Sequence, residues 1–245
     1  MTSGTAVPLR KWLPRPLRET PSRIFCLPYS GAGASMFGRW PDVAGEAGIC
    51  PVQLPGRENR LREPHFGTYE QLAKEAVEAL LPCLDRPFGL FGHCSSALIA
   101  FEIAVVLQRE GLPMPRRLFC SSQVAPHEGP YGSYLTMTDE QLRAELVELS
   151  ETELDATVLD VVTEVLRADV EANKAYRPAE PVLLDTTITT IGWSADHEVP
   201  PERMNGWDEY ATTVERVVLP GVHHTFLAAP AALLTRLAEG MASDD

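Results

Sequence analysis

The chain has 245 residues, of which 44% are hydrophobic and 22% charged, and its 34 acidic residues outnumber its 21 Lys and Arg residues to give a formal net charge of −13. This composition is typical of a globular protein and excludes wholesale disorder, collagen and coiled coil. The negative charge disfavours nucleic acid as a partner, and no apolar run reaches the length of about 18 residues that spans a membrane.

The first 23 residues are basic, unlike the rest of the chain. They hold five Lys or Arg side chains and one Glu, which favours either a solvated arm or a strip that docks an acidic partner. No apolar stretch there precedes a small-residue cleavage site, so we expect no secretory signal peptide and a cytoplasmic location.

The first half of the chain alternates short apolar runs with helical patterns, which predicts a mostly parallel sheet flanked by helices. Strands are predicted at residues 22–28, 49–54, 88–91 and 117–122, and helices at 68–84 and 96–110. Cys26, Cys50 and Cys120 lie in these strands, where we expect buried free thiols, because no two cysteines have metal-ligand spacing.

The alternation stops after residue 122. Residues 127–134 hold three Gly or Pro residues and are predicted to form a loop, and Thr138-x-x-Gln141 is a capping-box signature that opens a helix. A second helix, from about residue 153 to 176, carries apolar residues on more than one side, so it either sits between packed layers or lines an apolar cavity. Two consecutive helices between strands predict a helical lid over residues 127–178.

The alternation resumes after Pro181. Strands are predicted at residues 185–193 and 213–219, a short helix at 200–210 and a last helix at 228–241. With no internal repeat, the whole pattern predicts one α/β domain over residues 1–245 that contains the lid insertion.

The stretch Phe91-Gly-His-Cys-Ser-Ser-Ala joins a strand directly to a helix, which is the context of a nucleophile elbow, G-x-S-x-G. The turn places Cys94 at the N-terminal end of a helix, where the helix dipole favours an anion. A cysteine in that place beside a histidine is a candidate thiolate nucleophile. A structural core cysteine beside an accidental Gly-His pair is the alternative.

An acid and a histidine follow two of the later strands. Folds with a nucleophile elbow carry these residues in the same chain order, which is nucleophile, acid, histidine. Asp196 lies just past the strand that ends at Trp193 and is either an orienting carboxylate or a turn-forming aspartate. His223 and His224 follow the last strand and a Gly turn, and we prefer His223 as the base, with His224 as the alternate. A His-His metal pair competes with this interpretation, but no nearby Cys/His set completes four ligands, so no metal site is predicted.

The loop at residues 28–33 contains two glycines, which let backbone amides approach a ligand. An oxyanion hole would combine an amide of this loop with the amide of Ser95, which follows the nucleophile. A dinucleotide-binding G-x-G-x-x-G motif fails here because Met36 occupies the third glycine position.

These motifs resemble those of type II thioesterases of polyketide and nonribosomal peptide biosynthesis, which have the α/β-hydrolase fold. The resemblance spans residues 25–237, and its most specific part is residues 53–57. It is carried by Phe25-Cys-Leu-Pro-Tyr-Ser-Gly-Ala-Gly-Ala-Ser, Pro51-Val-Gln-Leu-Pro-Gly-Arg-Glu-Asn-Arg, Phe91-Gly-His-Cys-Ser-Ser-Ala and Leu219-Pro-Gly-Val-His.

The resemblance implies a set of roles for residues of this chain. Cys94 corresponds to the nucleophile, Asp196 to the acid and His223 to the base, and the amides of Ser30 and Ser95 to the oxyanion hole. The implied partner is an acyl or peptidyl carrier domain that presents a small-molecule acyl thioester on its phosphopantetheine. We expect a monomer that has no cofactor of its own and binds neither nucleic acid nor a membrane.

The chain departs from the family at the elbow, where Cys94-Ser95-Ser96 replaces the usual Ser-Met-Gly. A serine turns a thioester into an oxoester, whereas a cysteine forms another thioester and keeps the acyl group activated. The expected function is hydrolysis of carrier-bound acyl thioesters through acyl-Cys94. The alternatives are a cysteine-dependent acyltransferase or cyclase, of the aminoacyl-shuttle or Dieckmann type, and a non-catalytic protein that binds a carrier domain.

Overall fold

The structure, a computed structural model, describes residues 8–150, 155–178 and 181–242. Within these ranges, one sheet has the strand order β2-β3-β1-β4-β5-β6-β7, and every neighbouring pair is parallel except β2 with β3. The strands are β1 (Ser22–Leu27), β2 (Val43–Ala44), β3 (Ala47–Pro51), β4 (Phe88–His93), β5 (Arg117–Ser121), β6 (Leu184–Trp193) and β7 (Ala211–Leu219).

Helices cover both faces of the sheet, as the alternating pattern predicts. They are α1 (Leu9–Trp12), α2 (Tyr69–Leu80), α3 (Ser95–Arg109), α4 (Asp139–Leu149), α5 (Ala156–Ala175) and α6 (Ala231–Met241), with 3-10 helices that include Pro201–Glu209 and His223–Ala228. In the described ranges, no helix combines the length and the apolar character that crossing a membrane requires.

The central strands are apolar throughout because both of their faces are buried. In β1, Phe25 and Leu27 pack with α2 and α3 on one face of the sheet. Ile24 and Cys26 alternate with them and pack with α6 on the other face. The cysteines of β1, β3 and β5 are buried free thiols, as their strand positions predict.

The predicted elements agree with the structure best where their pattern is long. The strand predicted at 49–54 ends at Pro51, since the N–H of Gln53 turns away from the sheet to the carbonyl of Trp12, at 2.7 Å. The short helix predicted at 200–210 is a 3-10 helix, and the last helix starts at Ala231 after Pro230 rather than at residue 228. Helix α1 and strand β2 are four and two residues long, too short to leave a periodic signal.

Over residues 8–23 the basic amino-terminal segment lies against the fold and buries Trp12, Leu13 and Arg23, so it is not a solvated arm. Arg23 is 5% exposed and donates to the carbonyl of Cys83 and to Asp85. Lys11 pairs with Glu63 at 2.7 Å. Arg23 is therefore not available to an acidic partner, whereas the side chain of Lys11 stays 42% exposed in its pair.

The insertion between β5 and β6 has two unlike parts. Helix α4 has the predicted capping box between Thr138 and Gln141, and it buries only Leu142. Helix α5 begins at Ala156, so the predicted start of the second helix at residue 153 lies outside the described residues. From Thr163 onwards α5 buries seven side chains, three of them the polar residues Thr163, Asp169 and Asn173.

We expect the backbone amides of α4 to exchange with solvent faster than those of β4 or of residues 165–175. The opening of α4 exposes little apolar surface, which makes it a low-energy local unfolding event. Hydrogen exchange followed by mass spectrometry on peptides from the three segments measures this. Equal protection of α4 and β4 would contradict a mobile lid.

Candidate active site

Cys94 occupies the sharp turn between β4 and α3. Its φ of 53° and ψ of −134° lie outside the regions that L-residues favour. A Cβ on Gly92 would lie 2.3 Å from the carbonyl oxygen of Ser96, so only glycine fits where the strand passes the helix. The side chain of Cys94 is 8% exposed and lies at the N-terminus of α3.

Ser96, which replaces the second glycine of the elbow motif, is hydrogen-bonded on both sides of the turn. Its hydroxyl accepts the N–H of His93 at 2.9 Å and lies 3.1 Å from the carbonyl oxygen of Leu27. The side chain is fully buried. It thereby links the elbow to the end of β1.

Asp196 follows β6 and orients the ring of His223. Its Oδ2 accepts from Nδ1 of His223 and from the hydroxyl of Ser122, both at 2.8 Å. Its Oδ1 accepts the N–H groups of Glu198 and Val199 at 2.9 and 3.0 Å. Burial raises the pKa of Asp196, but the hydrogen bonds to His223 and to the backbone outweigh it and hold the pKa below the usual value.

The two adjacent histidines have opposite environments. Burial lowers the pKa of His223, but its bond to Asp196 and the nearby Cys94 and Glu198 raise it to about 10. Burial and the charge of His223 lower the pKa of His224 to about 4. The geometry brings His223, and not His224, to Asp196, and a ring nitrogen of His223 lies within 4.8 Å of the Cys94 sulfur.

Ser30 and Ser95, whose amides are expected to form the oxyanion hole, contact each other through their side chains. The hydroxyls of Ser30, after β1, and Ser95, at the start of α3, share a hydrogen bond of 2.7 Å. Within the described ranges, neither residue's backbone N–H donates to an acceptor of the chain. Two such N–H groups are what an oxyanion hole requires.

Asp169 of α5 is a residue that the sequence did not identify. Its carboxylate accepts the N–H of Gly31 at 2.7 Å and both terminal nitrogens of Arg57 at 2.6 and 2.7 Å, and it lies 2.7 Å from Nε2 of His65. Burial raises its pKa, but Arg57 outweighs burial and lowers the pKa to about 2. Because Gly31 follows Ser30, this carboxylate connects α5 to the loop whose amide is expected to form part of the oxyanion hole.

Glu198 is a second functional candidate that the sequence did not identify. Its Oε2 lies 3.8 Å from Nε2 of His223, and its Oε1 accepts the N–H of Ser133 at 2.9 Å. The hydroxyl of Tyr131 donates to its carbonyl oxygen. Glu198 therefore connects the start of the insertion to the histidine of the site.

A largely apolar cavity of about 470 Å³ lies between α5 and the loop after β1. The part of α5 that faces it carries Val158, Val161, Val162 and Val165, which explains why the sequence shows apolar residues on more than one side of this helix. Gly31 lies in the opposite wall, next to Ser30.

Comparison with known proteins assigns the chain to one family. The model of the thioesterase domain matches residues 22–240. The chain is 32% identical to linear gramicidin dehydrogenase LgrE of Brevibacillus parabrevis, over 91% of the chain and 89% of that protein. It is also 32% identical to gramicidin S biosynthesis protein GrsT of Aneurinibacillus migulanus, over 84% and 82%. The structure of RedJ, a thioesterase from the prodiginine biosynthetic pathway in Streptomyces coelicolor, is 36% identical with a TM-score of 0.77, covering 94% of this chain and 93% of RedJ.

We expect Asp169→Asn to destabilise the fold by about 3–5 kcal/mol, because it leaves the buried Arg57 without its counter-charge. Asp160→Asn is the matched control, since Asp160 lies on the same helix and pairs with Arg143 at the surface. Such an exposed pair contributes less than about 1 kcal/mol. Urea unfolding at neutral pH measures both values, and equal losses would contradict the role of the buried pair.

The stability difference between the native chain and Asp169→Asn should depend on pH in one direction. The folded pKa of Asp169 is lowered to about 2, so its ionisation contributes stability above its unfolded pKa of about 4, and this contribution is lost as pH falls towards 2. We therefore expect the difference in unfolding free energy between the native chain and Asp169→Asn to narrow below pH 4. A difference that stays constant down to the acid transition would contradict it.

Proposed function

Since the chain belongs to the thioesterase family of α/β-hydrolase enzymes, we propose that it hydrolyses acyl thioesters presented by a carrier protein in polyketide or nonribosomal peptide biosynthesis. The observation that carries this proposal is the arrangement of Cys94, His223 and Asp196 at the elbow. The names of GrsT and RedJ place those relatives in the biosynthesis of gramicidin S and of prodiginine, and they support the same class of pathway for this chain.

In the first half of the proposed reaction, Cys94 becomes acylated. His223 accepts the thiol proton, and the sulfur attacks the carbonyl carbon of the carrier-bound thioester. The oxyanion that forms accepts hydrogen bonds from the amides of Ser30 and Ser95. The carbon–sulfur bond to the phosphopantetheine breaks, its sulfur takes the proton from His223, and the carrier leaves with a free thiol.

In the second half, water releases the acyl group. His223 accepts a proton from the water as its oxygen attacks the carbonyl carbon of acyl-Cys94. The same two amides bind the second oxyanion, which collapses to a carboxylic acid while Cys94 recovers its proton from His223. Asp196 keeps its bond to Nδ1 throughout, which stabilises the charged ring when the proton is held.

The apolar cavity bordered by Gly31, the residue after Ser30, is the proposed site of the acyl group. Its volume of about 470 Å³ and its valine-lined wall suit a chain of several carbon atoms rather than a charged group. We further propose that the insertion at residues 127–178 acts as a lid on this cavity, since α5 forms one wall of it. The carrier domain would present its phosphopantetheine arm from outside.

The cysteine at the elbow supports a second candidate function, in which the acyl group is transferred or cyclised instead of hydrolysed. An acyl-Cys94 thioester is as reactive towards an amine or a carbon nucleophile as the substrate thioester was, which an acyl-serine oxoester is not. A non-catalytic accessory role is disfavoured, because the bond between Asp196 and His223 is of no use to a protein that only binds a carrier. LgrE is named a dehydrogenase, but we do not propose hydride transfer for this chain. Met36 interrupts the glycine pattern that a dinucleotide-binding loop requires.

We expect Cys94→Ala and His223→Ala each to lower thioester turnover by at least about 10³-fold, since each removes a member of the nucleophile–base pair. His224→Ala is the matched control and should keep activity within a few-fold, because His224 does not contact Asp196. The assay follows free acid and acyl-enzyme by intact mass, with an acyl-phosphopantetheine thioester as substrate. Undiminished turnover in Cys94→Ala would contradict the covalent mechanism, and a loss confined to His224→Ala would move the base to that residue.

Cys94→Ser separates hydrolysis from transfer. The exchange is nearly isosteric, so we expect the elbow to keep its structure. If the native enzyme hydrolyses its substrate, the variant should release the same free acid at a changed rate. If the native enzyme transfers or cyclises, the variant should lose that product and release free acid instead, since an oxoester is the poorer acyl donor. Mass spectrometry of the products distinguishes the two.

A further inference from the structure

Three side chains of different chemistry meet at the nucleophile. The sulfur of Cys94, a ring nitrogen of His223 and a carboxylate oxygen of Glu198 all lie within 4.8 Å of one another. We propose that these three side chains form a binding site for Zn²⁺ that reversibly blocks the nucleophile. The blocking effect rests on the proposed role of Cys94 as the nucleophile, whereas metal binding itself does not.

The donor set is one that zinc prefers. Thiolate, imidazole and carboxylate are its usual protein ligands, and three protein ligands leave the fourth tetrahedral position for water. Zinc bond lengths of about 2.0–2.3 Å place such ligand atoms about 3.4–3.6 Å apart. Nε2 of His223 and Oε2 of Glu198 are already 3.8 Å apart, and the sulfur lies within 4.8 Å of both ligands, so small side-chain shifts complete the site.

The ligands are held in place by their neighbours. Asp196 accepts from Nδ1 of His223 at 2.8 Å and leaves Nε2 as the metal-binding nitrogen, the carboxylate–histidine arrangement that is common around protein-bound zinc. The N–H of Ser133 binds Oε1 of Glu198 and leaves Oε2 to face the histidine. The backbone N–H of Glu198 is bonded to Asp196, so the acid and the ligand are parts of one short loop.

Binding would silence the enzyme through the sulfur. As the sulfur–zinc and nitrogen–zinc bonds form, the protons held by the Cys94 sulfur and by Nε2 of His223 are released to solvent, so that a thiolate and a neutral ring bind the metal and no oxidation state changes. The electron pair that would attack the thioester is then engaged by the metal. The side chains are 8–22% exposed, so a cation has access, and the net charge of −13 attracts cations.

The sequence could not reveal this site because its ligands are far apart in the chain. The predicted absence of a metal site rested on the neighbourhood of the His223-His224 pair. The structure supplies the missing ligands from residue 94 and residue 198, and only one of the two histidines takes part. The cysteine is essential here, because a serine hydroxyl is a poor ligand for zinc at neutral pH.

The test uses the full chain, without a polyhistidine tag and freed of metal by a chelator, and adds Co²⁺ as a spectroscopic probe for Zn²⁺. We expect one Co²⁺ per chain with a sulfur-to-cobalt charge-transfer absorption in the near ultraviolet, which Zn²⁺ abolishes by displacement. We also expect Zn²⁺ to slow the alkylation of Cys94 by iodoacetamide, measured by peptide mass spectrometry, and a chelator to restore it. Co²⁺ binding without the sulfur absorption would overturn the proposal.

Two variants and one control locate the ligands. Cys94→Ser should lose the charge-transfer band. Glu198→Gln should weaken Co²⁺ binding by at least about tenfold, since loss of even an outer-shell partner costs about 10–100-fold in affinity. Glu202→Gln, an exposed acid four residues away, should bind as the native chain does. Equal affinity of Glu198→Gln and Glu202→Gln would overturn the proposal. No substrate is present in these titrations, so a negative result would leave the thioesterase proposal intact.

Discussion

The close contact between β4 and α3 is the constraint on which the rest of the site depends. The two backbones leave no space for a side chain at Gly92, so the chain must pass from strand to helix in one residue. That residue, Cys94, has a positive φ that costs about 1–3 kcal/mol. The strain is sustained because every residue of α3 from Ser95 to Leu107 is buried, which fixes the helix against the sheet. The sulfur is thereby projected at the helix N-terminus.

The parallel sheet then supplies the partners of Cys94. In parallel strands all carboxyl ends lie at the same edge, so the residues that follow β1, β5, β6 and β7 meet around the elbow. These are Ser30, Ser122, Asp196 and His223. Ser122 has no counterpart in the sequence prediction, yet its hydroxyl is one of four donors to Asp196. The site is therefore a property of strand order and not of any one motif.

The features that could be predicted from sequence are those with local causes. The capping box of α4 needs only Thr138 and Gln141, and the elbow needs only the few residues around Cys94. Asp169 and Glu198 could not be assigned in this way, since Gly31 and Arg57 are 138 and 112 residues from Asp169 and nothing in the sequence separates Glu198 from a surface acid. A charged residue among the apolar positions of α5 was the one available signal for Asp169.

The three histidines at the elbow show how the fold concentrates charge on one ring. The ring of His223 lies 4.6 Å from that of His93 and 4.9 Å from that of His224, so only one of the three is readily protonated. His93 is fully buried and stacked on Phe226, and burial holds its pKa well below the usual value. His224 has no carboxylate bonded to it, and its pKa is lowered as well. The hydrogen bond from His223 to Asp196 therefore makes His223 the ring that is protonated. A single positive charge then lies beside the sulfur of Cys94, while the rings of His93 and His224 stay neutral.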